Sequence, residues 1–476
     1  MRVAMWVLAA LLATGCVSAP PSARKPVLRI DAPVALTPSA AGRGATWPTV
    51  DWWRTYGDPT LDALIDAAFK GSPDIAAADA RFAAARHAVS LTRAALGLQA
   101  QASGDISRQR LSDNGLISPN ALGFNWYNEA DLGLQASYSF DWWGKQKAQI
   151  EAALDEARAT EAEKAAAKLL LASAIAETYF GWQTDQQRLV YARERLAAME
   201  RLARVMTLRV EAQLDNADTL RMTQYALAAA RENILSMEGS ANLRRVSLAA
   251  LVGSRNEGLP ELVVRPLPTA AQGLPADLTL DLVSRRPDIV ASRWRVDAAS
   301  QGLAVARASW YPDVSLRALV GLSSIDLGKL LQINSSNPSI GAAIHLPLFD
   351  GGVRKARHGL RGAQLDAAIA AYDEAVIGAV REVSAAATLS ATLAAQQVER
   401  HSQLTEQEAL LGNARSRVTA GTGDIRPQLL AALQVNTTED GLAQIKLAAL
   451  SADIGLRRAL GGGYHATAAV ATETKP

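Results

Sequence analysis

The chain states one plan twice. Ser72-Pro73-Asp74-Ile75 returns as Arg286-Pro287-Asp288-Ile289, and each copy opens an alanine-rich helical stretch that reaches Arg93-Ala94 or Arg307-Ala308. Both copies then pass through alternating, strand-like segments that end in Phe140-Asp141 and Phe349-Asp350, ahead of another very long helical run. The copies are offset by 214 residues at the first landmarks and 209 at the last, so the change in length falls in the strand-and-loop region. A repeat this long is an architectural unit built twice, and it points to one pseudo-symmetric body before any chemistry enters.

Composition narrows the partners. Charged residues are 20% of the 476-residue chain and the net charge is only +2, with no basic stripe to suit nucleic acid. Aromatics make up 5% and alanine is abundant, which suits long helices packed closely together.

Two periods alternate along the chain. From Asp131 to Trp142 the apolar set Leu132, Leu134, Ala136, Tyr138, Phe140 and Trp142 shares one face. The second copy repeats this with Val314, Leu316, Ala318 and Val320, then with Ile340, Ala342, Ile344, Leu346 and Leu348. The partner strand of the first copy, about Gln101 to Leu111, is more polar and is placed by its position in the repeat. Strands of about ten residues with one apolar face have the dyad pattern of transmembrane β-strands, although a β-sandwich uses the same alternation. Trp142, Trp143, Trp310 and Tyr311 stand at strand–helix junctions, as the aromatic belt of one membrane surface would.

Between the strands lie the long helices. Gly144 to about Val205 has no proline, and Gly352 to about Val418 has none either, though Gly359, Gly362, Gly378 and Gly412 weigh against perfect continuity. Ile175, Trp182, Leu189, Leu196 and Ala203 recur every seven residues, a coiled-coil-like spacing. Shorter helices return from about Asp218 to Val252 and from about Pro427 to Leu460. Ahead of the first repeat, Trp47, Trp52, Trp53 and Tyr56 either pack the incoming chain against the helical body or offer a ligand platform.

The strand count forces an assembly. Two strands per copy give four per chain, too few for a water-containing barrel, and an open sheet edge in hydrocarbon leaves backbone groups unpaired. The chain must pool strands with copies of itself, giving eight from two chains or twelve from three, and the sequence does not choose between them.

The amino terminus carries an address. Arg2, the short apolar run Val3 to Ala13 and the small residues before Cys16 form a leader too short for an ordinary membrane span. Leu12-Ala13-Thr14-Gly15-Cys16 resembles a bacterial lipoprotein signal with its leucine one place further upstream than usual. The resemblance implies a covalent lipid on Cys16 and, with Val17 next, delivery to the outer membrane. Domains follow as a signal peptide over 1–15, a proline-rich lipidated tether over 16–45, repeats over 46–260 and 261–460, and a tail over 461–476.

Leu282 to Ile289, Ala306 to Asp313 and Leu346 to Gly352, with the repeated Pro-Asp-Ile, resemble the outer membrane efflux protein family in its lipoprotein branch. The resemblance covers nearly all of the mature chain. It implies an α+β membrane protein: a homotrimer whose 12-stranded β-barrel continues into a 12-helix periplasmic α-barrel. It further implies an outer-membrane exit duct of a tripartite pump, partnered by a periplasmic adaptor and an inner-membrane pump. An export channel for polypeptides and a non-channel coiled-coil scaffold are the alternatives.

Two turns close the repeats. The second copy turns at Gly421-Thr422-Gly423, between Arg417 and the Asp424/Arg426 pair; the first turns at Gln213-Leu214-Asp215, ahead of Asp218. The resemblance makes these turns the periplasmic tip, where the duct gates and meets its adaptor. Members often carry acids one to two helical turns past the Gly-Thr turn, whereas Pro427 and Leu430 stand there in this chain, so Arg417 with Asp424 is the expected polar gate pair. The two tips match poorly in sequence and read as an asymmetry.

Nothing points to bond chemistry. The chain has no phosphate loop, zinc-protease motif or nucleophile elbow, its five histidines (His87, His345, His358, His401, His465) are scattered, and its one cysteine is Cys16. The expectation is no enzyme, no metal and no cofactor apart from the lipid.

Overall fold

A computed structural model describes residues 46–114, 119–253, 258–270, 273–275 and 284–465. Cys16, the tether and most of the C-terminal tail lie outside the described residues. The elements run α1 (Pro59–Gly71), α2 (Pro73–Leu96), β1 (Gln99–Arg110), β2 (Trp126–Phe140), α3 (Lys145–Glu211) and α4 (Ala217–Val252). They continue as α5 (Pro287–Ala308), β3 (Asp313–Ser324), β4 (Ser339–His345), α6 (Val353–Thr419) and α7 (Ile425–Ala459). The repeat is thus helix–strand–strand–long helix–return helix, with α3 and α6 each 67 residues and α4 and α7 36 and 35. The four glycines of α6 do not interrupt it.

Two compact units share these elements. The first, over Phe82–Ala159 and Ser292–Tyr372, holds an antiparallel sheet in the order β1-β2-β3-β4. Register fixes its faces: Leu134 lies opposite Ala102 and Val320, and Ala318 lies opposite Ala136 and Ile340. One apolar face therefore runs across all four strands, and β1 joins it through Ala100, Ala102, Gly104 and Ile106. That face is uncovered in the single chain, with Leu134 56%, Val320 64% and Ile340 76% exposed. β4 is shorter than the sequence pattern suggests and excludes Leu346 and Leu348, because Pro347 has no N–H to give the ladder. β2 begins earlier than expected, at Trp126, and ends before Trp142.

The Phe-Asp landmarks are helix caps. Asp141 accepts from the backbone N–H of Gln146 and Lys147 at 3.0 and 2.8 Å, and Asp350 accepts from Gly352 and Arg354 at 3.0 Å each. The chain leaves each strand through glycines at positive φ, Gly144 (72°) and Gly351-Gly352 (63° and 91°), a backbone that a Cβ would strain.

The second unit comprises the described parts of Arg29–Arg81, Thr160–Ala291 and Asp373–Pro476. Its core packs Trp52, Trp53, Leu61, Leu64 and Ile65 against Ile175, Tyr179 and Phe180 of α3. Trp52 is fully buried and Trp53 is 4% exposed, so these tryptophans fill the core, and Tyr56 meets Phe180 edge-on at 5.1 Å. Asp58 caps α1 through the Thr60 N–H and also accepts from the Tyr179 hydroxyl at 2.7 Å. Gln183 donates to the same hydroxyl and to the Val263 carbonyl, tying the segment after α4 to α3. Of the seven-residue series, Ile175, Trp182 and Leu189 are buried and Leu196 and Ala203 half-buried.

Candidate functional sites: the sheet face and the tip turns

The face opposite the apolar one is polar. Gln101 donates to Gln135 across the strands at 3.3 Å, and Tyr127 and Glu129 both hydrogen-bond Gln109. Arg317 and Ser339 line the same side, in a trough of about 640 Å³ with Gln99, Gln101 and Gln135. Strict alternation sorts the side chains this way. A sheet with one exposed apolar face and one polar face suits hydrocarbon on the first side and water on the second.

The junction aromatics come together within the first unit. Trp143 stacks on Tyr311 with centroids 4.7 Å apart, and its indole N–H donates to the Pro312 carbonyl at 2.9 Å. Trp142 is 67% exposed, whereas Trp310 is half-buried beneath the Arg354 guanidinium.

In the second unit the two tip turns have the same backbone. α3 ends with the Gln213 N–H on the Val210 carbonyl and the Leu214 N–H on the Arg209 carbonyl; α6 ends with Gly421 on Val418 and Thr422 on Arg417. This is one Schellman cap used twice. Gln213, at φ 60°, occupies the left-handed position that Gly421 fills at 70°. Asn216 and Asp424 then cap the returning helices α4 and α7 through the N–H of Thr219 and Arg426. The tips that look dissimilar in sequence share one backbone, so the asymmetry between them lies in their side chains.

Their side chains form a different pair from the one expected. Arg417 does not pair with Asp424; its carbonyl receives the Thr422 N–H and hydroxyl. Asp424 is held by Arg426 at 2.6 and 2.7 Å, and Arg426 also stands 3.6 Å from Asp215 of the other turn. Asp215 accepts from the Arg209 guanidinium at 2.5 Å. Arg209, Asp215, Arg426 and Asp424 thus form a chain of charges joining the two turns. Arg426 beside Asp424 holds that carboxyl below the usual carboxylate range. Arg209 was not among the expected residues, although it occupies the position in its turn that Arg417 occupies in the other. Asp218 lies in the first turn of α4 without a part in this network.

A model of the outer membrane efflux protein family matches residues 64–254 and 279–462, one segment for each structural repeat. The chain belongs to the outer membrane efflux protein family. It is 33% identical over 431 residues to multidrug resistance outer membrane protein MdtP of Escherichia coli K12, covering 88% of each chain. Fusaric acid resistance protein FusA of Burkholderia cepacia is 37% identical over 374 residues, 76% of this chain and 69% of that one. Among solved structures, outer membrane protein VceC from Vibrio cholerae aligns with TM-score 0.76 and 28% identity over 88% of this chain and 100% of that one. The Campylobacter jejuni CmeC outer membrane channel shares the fold at TM-score 0.82 and 20% identity, over 90% and 92%. Family membership places the chain in the outer membrane.

Proposed function

We propose that the chain is the exit duct of a tripartite efflux system, passively conducting small molecules from a periplasmic adaptor and inner-membrane pump to the exterior. The observation that carries this is the four-stranded sheet, apolar on one face and polar on the other, with β1 and β4 at its ends. Hydrocarbon does not tolerate those two edges unpaired, so neighbouring copies pair them. Two copies would close eight strands, a barrel whose interior side chains fill. Three copies close twelve and are the smallest number that leaves a lumen. Trp142, Trp143 and Tyr311 then ring the membrane surface, and a lipid on Cys16 adds a second anchor.

The tip turns form the gate and the adaptor contact. In this reading the charge chain from Arg209 to Asp424 keeps each chain's two hairpins together in the closed duct, and opening separates them. The names of the relatives, multidrug and fusaric acid resistance, support organic solutes as cargo. Native mass spectrometry of the detergent-extracted protein tests the assembly: three copies are expected, and a monomer or dimer would overturn it.

A further inference from the structure

The first unit contains a cleft of about 400 Å³ where the starts of α6 and α3 meet the end of α5. Lys145, Arg354, Arg357 and Arg361 line it together with Asp313 and Asp350. Both carboxylates are already engaged, Asp313 by the Lys145 ammonium at 3.0 and 3.1 Å and Asp350 by the Arg354 guanidinium at 2.7 Å. The other two cations have no carboxylate partner among the described residues: Arg361 donates to the neutral Gln364, and Arg357 faces Arg361 one helical turn away. Like charges at that spacing repel.

A second observation is independent of this charge balance. Arg354 is 8% exposed, its guanidinium covers the Trp310 ring at 5.1 Å, and its Nη1 has no hydrogen-bond partner. A buried charged donor without an acceptor is costly, and here it borders a cleft with surplus positive charge. Asp313 and His345 also line the cleft and lie opposite each other on the polar face of the sheet, so the cleft belongs to that side.

We propose that this cleft binds an oxyanion, the carboxylate of a small organic acid or a phosphate group, on Arg357 and Arg361 with Arg354 behind them. Guanidinium forks suit such planar or tetrahedral oxygens, and the volume admits a ring-sized body beside the charge. As a resting point for anionic solutes in transit the cleft rests on the duct reading; the binding itself does not.

The test is a fluorine-19 NMR titration of 4-fluorobenzoate into the purified full-length protein in detergent, with inorganic phosphate as competitor. Saturable binding is expected, weakened at least about tenfold by Arg357→Gln with Arg361→Gln and unchanged by Lys355→Gln, which lies outside the cleft. Both arginines are exposed, so the double variant keeps the core intact. Displacement by phosphate identifies a general oxyanion site, and failure of displacement identifies one that takes carboxylates. No saturable binding, or equal binding by the double variant, overturns the proposal. A protein that conducts ions without binding refutes only the cleft, and one that binds without conducting refutes only the duct.

Discussion

Arg426, on the second tip turn, stands 3.6 Å from Asp215 on the first, although a whole repeat separates the two in sequence. Asp215 is also the partner of Arg209, so one carboxylate joins two guanidiniums from different helices. The three side chains are half-buried, and partly solvated ion pairs of this kind are individually weak, which suits the releasable latch proposed for the tip.

Arg426→Ala is expected to loosen the closed tip. Entry of a chromogenic cephalosporin into cells carrying the variant should rise about two- to fivefold, and Asp215→Asn should give a similar rise. Because the two residues act through one contact, the double variant should add little to either single change. Additive effects would place them in separate contacts.

Acid should free Arg426, the cation of this latch, from the Asp424 carboxylate that holds it, with a defined sign. The Asp424 carboxyl is depressed by Arg426, so its contribution is complete above the ordinary aspartate value of about 3.9 and is lost as pH falls through the lowered one. Ion leak through the reconstituted protein should stay level from about pH 8 to about pH 5 and rise only below about pH 4. A rise centred near pH 6 would implicate a histidine instead.

Gln213 tests the equivalence of the two turns. A non-glycine residue in the left-handed region costs roughly 1 kcal/mol, and Gly421 shows what the same turn accepts without that cost. Gln213→Gly should slow hydrogen exchange of the amides at the end of α3 by about fivefold. Faster exchange would mean that the glutamine side chain supports the turn.

The two sheet faces should respond oppositely to charge. Leu134→Arg on the apolar face should cost about 2–4 kcal/mol and lower the amount assembled in the outer membrane, whereas Gln135→Arg on the polar face should assemble normally. Equal effects in fractionated membranes would remove the face assignment.

The sequence was most legible where period alone decides. The Pro-Asp-Ile repeats start α2 and α5, and the proline-free runs become α3 and α6, because helix formation over dozens of residues averages out single glycines. The face of β1 was harder to read, since Ala100, Ala102 and Gly104 are too small to stand out as an apolar series. The end of β4 does not show in the pattern, because Leu346 and Leu348 keep the alternation beyond a proline that stops pairing. At the tip, Gln213 concealed the match with Gly421, and the Asp215–Arg426 contact depends on how hairpins from different repeats meet.

In the assembled duct, pooled strands enclose a water-filled path through the outer membrane. Single-channel recording of the purified protein in planar bilayers tests it most directly, with the wild type compared with Arg426→Ala to allow for a closed tip. Discrete conductance steps are expected, larger or longer-lived in the variant. A protein that inserts stably yet gives no steps in either form would contradict it.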